Sequence, residues 1–187
     1  MTSAPWPQLP PFTAYGVLPQ GDYPMTLDEL RQSALVTGGI AVRSTWDGHW
    51  RADLIDRLAI VVQQLWAVGI DAIYIDGSFV EQKDHPNDID GYFECDVRYL
   101  ASGRLEQDLN ALDPYQAWTW DERRRIWDNS SGKRQLPLWH QYRVELYPHF
   151  GQPTGILDRF GNQLQFPSAF RVSRRSYMPK GIIRLAR

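Results

Sequence analysis

Residues 50–69, WRADLIDRLAIVVQQLWAVG, constrain the fold more than any other stretch of the chain. Trp50, Leu54, Leu58, Val61, Val62, Leu65 and Trp66 recur at helical spacing, so one face of a long helix is apolar and has to be buried. Gly69 stands where a C-terminal cap belongs. IDAIYID (70–76) follows at once. It is short, β-branched and aromatic, the pattern of a buried strand, and it stops at Gly77-Ser78. A helix that runs straight into a buried strand needs a sheet to lie on. The expected class is α+β, a small mixed sheet with helices packed against it.

Two further strands fit that sheet. In DIDGYFEC (88–95) a period of two puts Asp88, Asp90, Tyr92 and Glu94 on one face and Ile89, Gly91, Phe93 and Cys95 on the other. In YRVELYPHF (142–150) Val144 and Leu146 face one way, Arg143, Glu145 and Tyr147 the other. Thr26 and Glu29 form a capping-box signature that opens a short helix ending near Gly38-Gly39. Residues 102–112 and 120–128 read as helices, separated from the third strand by the polar break NSSGKRQLP. At 187 residues, 43% hydrophobic and 22% charged, the chain suits one soluble domain. It divides into an extended Pro-rich arm (1–24), a core (25–150) and a basic C-terminal extension (151–187).

The polar faces carry the chemistry. If the three strands are neighbours, Asp88, Asp90 and Glu145 converge beside the Gly77-Ser78 turn. Hard cations such as Mg²⁺ take oxygen ligands and are usually shared with substrate phosphates. Glycine lets a backbone approach phosphate closely, and serine adds a hydroxyl donor. Each residue also has a plainer reading. Glu145 is a metal ligand or half of a cross-strand ion pair. Lys83 is a solvated loop lysine or a phosphate contact, and Asp76 is read as a cap on the turn in preference to a metal ligand. Arg174, Arg175 and Lys180 are surface charges or reach a triphosphate. Trp118, Trp120, Trp127 and Trp139, interleaved with Arg123, Arg124, Arg125, Lys133 and Arg134, pack the basic half onto the sheet or stack against RNA.

Charge is split along the chain. Residues 1–97 hold 5 Lys/Arg against 14 Asp/Glu, and residues 98–187 hold 15 against 8. That split suits a phosphate-rich ligand and its cation, or two halves that interlock and neutralise each other. Cys95 is the only cysteine, so no internal disulfide and no thiolate cluster is available. The N-terminus lacks a signal-peptide pattern and no apolar run is long enough for a membrane span, so a cytoplasmic setting is expected. The four histidines have no zinc-site spacing.

The run GSF…K…PNDIDGY resembles the nucleotidyltransferase superfamily with the polymerase-β-like palm, whose signature is a Gly-Ser turn followed by an Asp-x-Asp strand. More narrowly, LPPF…GVLPQGDYPMTLDEL, DGSFV…K…PNDIDGY, VELYPHF and RRSYMPKGIIRL are similar to a group of small bacterial and phage nucleotidyltransferase-like proteins. The resemblance implies a palm fold and Mg²⁺ or Mn²⁺ held by Asp88, Asp90 and Glu145. It implies a nucleoside triphosphate gripped by Gly77 and Ser78; Lys83 and Lys180, from the reading of the residues above, are the candidate further nucleotide contacts. The third acid here is a glutamate where aspartate is usual. The implied acceptor is a tRNA or other RNA end, or a protein; if it is RNA, the charge split makes Arg123, Arg124, Arg125, Arg174 and Arg175 the candidate phosphate contacts. The implied setting is a toxin–antitoxin pair or phage defence. Some relatives keep the fold without catalysis, so a non-catalytic nucleotide- or protein-binding module, such as an antitoxin or a phage accessory protein, is the alternative.

Overall fold

The computed structural model describes residues 9–39, 43–174 and 176–187. The helix–strand unit is present: α3 spans Gly48–Ala67 and β2 spans Ile73–Asp76. Asp47 caps α3 by accepting a hydrogen bond from the Trp50 N–H. Gly69, at φ +85°, lets the chain leave the helix in the left-handed region. Leu54, Leu58, Val61, Val62 and Leu65 are all fully buried, each worth roughly 1.5–3 kcal/mol of burial.

What they bury against is a five-stranded mixed sheet. β3 (Ile89–Glu94) runs antiparallel to β2, and β6 (Val144–His149) runs parallel to β3. On the other side of β2 lie β9 (Ile182–Leu185), antiparallel to β2, and β1 (Asp22–Met25), parallel to β9. The order across the sheet is β1-β9-β2-β3-β6. One face, with Ile73, Ile75, Ile89, Phe93, Val144, Leu146, Ile183 and Leu185, joins the helices in a single core. The other face carries Tyr74, Asp76, Asp90, Tyr92, Glu145 and Tyr147. It is only partly covered, by a small cluster around Tyr92, Phe166, Phe170 and Ile182.

Of the expected arm, residues 1–8 lie outside the described residues; the rest is bound to the core, with Val17 and Leu18 buried and β1 in the sheet. The capping box at Thr26 forms as read, but the helix it opens is broken in two, α1 (Leu27–Gln32) and α2 (Ala34–Thr37). Ser33 breaks it: its hydroxyl donates to the Leu30 carbonyl and accepts from the Leu35 N–H, so its side chain replaces helical bonds. α4 (Val97–Ala101) and α5 (Arg104–Leu112) lead away from β3.

Two readings are corrected. Residues 120–128 are not helical: a single 3₁₀ turn, Glu122–Arg124, leads into a hairpin of β4 (Ile126–Asp128) and β5 (Lys133–Gln135). The turn at NSSG, closed through Gly132 at φ +65°, folds this segment back on itself. After α6 (Pro137–Tyr142) and β6, residues 151–187 are also not an appendage. β7 (Pro153–Leu157), β8 (Gln163–Gln165) and α7 (Phe166–Ala169) cover part of the polar face, and β9 enters the sheet interior. The acidic and basic halves therefore meet, in the pairs Arg171–Asp22 (2.7 Å), Arg187–Asp71 (2.5 Å) and Lys180–Glu81 (2.9 Å). Among the described residues no helix is long and apolar enough to cross a membrane.

Candidate functional site

Strand register decides what the polar face can do. Asp76 on β2 stands opposite Asp90 on β3, and Asp90 stands beside Glu145 on β6. Residues paired across a sheet point to the same side, so three carboxylates form a row across three adjacent strands. Asp88, two residues before Asp90, joins them along the wall of one cleft of about 800 Å³. Such a volume accommodates a nucleotide-sized ligand.

Two glycines make the row possible. Gly77 lies in the left-handed region at φ +72°, and a Cβ there would fall 2.0 Å from Asp90 Oδ2. The turn is thus pressed against the central carboxylate, a closeness no other residue allows. At Gly91 a Cβ would fall 2.2 Å from the Tyr74 carbonyl oxygen and 2.7 Å from Leu146 Cδ2, so a glycine is what lets β2, β3 and β6 close up behind the acids. Asp88 is fixed differently: its Oδ2 accepts a 2.7 Å hydrogen bond from the indole N–H of the buried Trp139.

The two outer acids of the row are each met by a cation. The Lys180 ammonium is buried, 3.1 Å from Asp76 and 2.9 Å from Glu81. Arg125 donates to Glu145 Oε1 at 3.1 Å and to the Tyr147 hydroxyl at 3.1 Å, while its other side holds Glu122. Among the described residues the central acid, Asp90, makes no ion pair of this kind. Burial pushes the Asp90 carboxyl well above the usual carboxylate range, and the charges of Asp88, Glu145 and Asp76 push it further, opposed by Arg174. Burial also raises Asp76, to about 7, despite Lys180, and raises Glu145 against the pull of Arg125.

This bears directly on cation binding. Among the described residues no three His, Cys, Asp or Glu side chains already form a metal-holding group. The charge of Glu145 is engaged by Arg125. Asp88 and Asp90 remain as a crowded acid pair at the foot of the cleft. One or two carboxylates, completed by water and phosphate oxygens, are what Mg²⁺ commonly takes from a protein, so the donor set fits.

The other expected residues separate into three groups. Gly77, Ser78, Lys83, Arg125, Arg174 and Lys180 all line the cleft. Lys180 does so with its ammonium already committed to Asp76 and Glu81. Arg123 and Arg124 lie exposed outside it, Arg123 folded back onto Asp121 at 2.7 Å. Arg175 lies outside the described residues. Of the tryptophans, Trp118 and Trp139 are fully buried, and Trp120 packs on the core with its N–H donated to the Leu146 carbonyl. Of these four, only Trp127, 57% exposed on the β4–β5 hairpin, is open to stacking.

Two site residues escaped the sequence reading. Asp76 does not cap the turn with its side chain; it is an end of the acid row. Arg51, on α3, is completely buried and donates to four backbone carbonyls, those of Leu35, Phe79, Glu81 and Lys83. It thereby clamps the loop that follows Gly77-Ser78. The signal was available: an arginine three residues before Leu54 and seven before Leu58 sits on the apolar stripe of its helix.

The chain belongs to a family of unknown function, DUF6932, whose family model matches residues 10–186. No curated protein and no solved structure matches it.

Proposed function

We propose that the cleft binds a nucleoside triphosphate together with Mg²⁺ or Mn²⁺ and transfers the nucleoside monophosphate to an acceptor hydroxyl, releasing pyrophosphate. The observation that carries this reading is the acid row: Asp90 is flanked in register by Asp76 and Glu145, and among the described residues only the flanking acids form ion pairs. A divalent cation bound at Asp88 and Asp90 supplies charge neutralisation between those carboxylates and the incoming phosphates.

The chain's own groups account for the remaining roles. Gly77 and Ser78 offer a turn with room for phosphate oxygens, and Lys83 and Arg174 on the cleft wall add positive charge. In the transfer the acceptor oxygen bonds to the α-phosphorus as the bond from that phosphorus to the bridging oxygen of pyrophosphate breaks. Glu145, whose proton affinity burial has raised, takes the proton of the acceptor hydroxyl. The acceptor class, an RNA end or a protein, follows from the resemblance to polymerase-β-like nucleotidyltransferases. A second reading, a non-catalytic nucleotide- or protein-binding module, draws support from the engagement of Glu145 by Arg125 and of Asp76 by Lys180.

The test is to incubate the protein with each α-labelled triphosphate, Mg²⁺, and total cellular RNA or protein. Label is expected in a macromolecule with the native protein and not with Asp90→Asn. Undiminished labelling by folded Asp90→Asn overturns the proposal. Nucleotide binding without any transfer favours the binding module.

A further inference from the structure

Arg125 is placed unlike any other cation in the cleft. It comes from the 122–125 turn, outside the sheet, and reaches across to β6, where Glu145 and Tyr147 receive it. Its side chain is 17% exposed and that of Glu145 12%. Its remaining bonds go to the exposed Glu122 side chain and, at 3.3 Å, to the Arg134 carbonyl, both on the 122–135 turn and hairpin rather than on the five-stranded sheet. Burial works against its charge, but Glu122, Tyr147 and Glu145 together outweigh that and hold it firmly protonated. A guanidinium presents five N–H donors in a planar fork that matches a carboxylate or a phosphate equally well. Arg125 lines the same cleft as Ser78, Asp88 and Asp90, so a phosphate chain lying there competes with Glu145 for the same donors.

We infer that Arg125 is a triphosphate-binding residue stored on Glu145, and that its transfer to the triphosphate releases Glu145 to face Asp90. The inference rests on the nucleotidyltransferase reading of the cleft and deepens it: nucleotide arrival assembles the third acid. Without nucleotide the arginine fills the place a cation would take beside Glu145, and Asp88 and Asp90 act alone. With nucleotide, the phosphates take the arginine and the charge of Glu145 is left free to meet a cation beside Asp90, its in-register neighbour. Charge is exchanged between partners and none is stranded in the cleft.

The exchange has a signature that needs no turnover. Mn²⁺ binding is measured without nucleotide, and inorganic tripolyphosphate binding without metal, on the native chain, Arg125→Gln, Glu145→Gln, the double variant and Asp90→Asn. Freeing Glu145 should tighten Mn²⁺ about tenfold in Arg125→Gln, the effect of one uncompensated charge near the ion. That gain should vanish in the double variant, and Glu145→Gln alone should change Mn²⁺ binding little. Tripolyphosphate should bind about tenfold more weakly to Arg125→Gln. Arg125→Lys, which keeps the charge and loses the fork, covers the case in which glutamine disturbs folding; it should lose part of the tripolyphosphate affinity with Mn²⁺ binding still weak. Mn²⁺ binding that requires Asp90 but ignores Arg125 overturns this inference alone. Mn²⁺ binding indifferent to Asp90 as well overturns the cation site beneath it.

Discussion

Replacing Arg51 by leucine should destabilise the protein by a predictable amount. The guanidinium is wholly buried, with Trp46 4.0 Å from its central carbon on one side and Phe79 at 5.1 Å, and burial lowers its pKa to about 9. Nη1 donates to the Leu35 and Phe79 carbonyls at 2.6 and 2.8 Å, and Nη2 to those of Glu81 and Lys83 at 3.2 and 2.6 Å. Leucine fits the apolar stripe of α3 but leaves these acceptors without donors. The Glu81 and Lys83 carbonyls lie near the surface, where water replaces the arginine. The Leu35 and Phe79 carbonyls are buried, and each orphaned acceptor costs about 1–3 kcal/mol. Relief of the buried charge offsets part of this, so the net loss should be about 3 kcal/mol. For a chain of this size that lowers Tm by roughly 6–12 °C. Urea denaturation monitored by near-UV circular dichroism gives the free energy, and hydrogen exchange at residues 79–83 gives its location. A stability within about 1 kcal/mol of the native chain, or unchanged exchange in that loop, would show that the four carbonyls do not depend on Arg51.

Gly77→Ala combines a left-handed backbone with a collision against Asp90 Oδ2, whereas Gly132→Ala, at φ +65° with nothing within 4 Å, carries the backbone cost alone. Urea denaturation should place Gly132→Ala about 1 kcal/mol below the native chain and Gly77→Ala at least twice as far, and only Gly77→Ala should weaken Mn²⁺ binding. Asp76 supplies a pH dependence: its folded pKa of about 7 lies above its unfolded value, so its stabilising contribution is complete below pH 4 and falls as pH rises to 7. Asp76→Asn should therefore flatten the stability–pH profile between pH 4 and 8 by roughly 1–4 kcal/mol, and a slope that persists in the variant would assign it to other groups.

The central pieces of the site were legible because they depend on local rules. A period of two puts Asp88 and Asp90 on one face whatever lies beside them, and Gly77-Ser78 marks the end of its strand by chemistry alone. Asp76 was misread because its side follows from pairing: only the β2–β3 register sets it against Asp90. Arg51 was hidden by its type, since an arginine in a helix is usually assigned to solvent. The segment 120–128 read as a helix because its two strands have three residues each, too few to display a period. GIIRL near the C-terminus has the β-branched content of a strand, but its partners lie more than a hundred residues away, and no local pattern names them.

That last placement has a consequence for how the protein is made. β9 lies between β1 and β2, so the sheet is finished from its middle by the last of its five strands to be synthesised. About a hundred residues separate the end of β2 from β9, which at usual translation rates is roughly 5–20 s of elongation. Through that interval β2 presents an open edge with no neighbour on one side, and β1, whose sheet partner is β9, has nothing to pair with. An exposed strand edge is a template for any extended chain nearby. The nascent protein is therefore exposed to intermolecular pairing until β9 emerges, and emergence of β9, rather than of the Asp-x-Asp strand, is the event that closes the sheet.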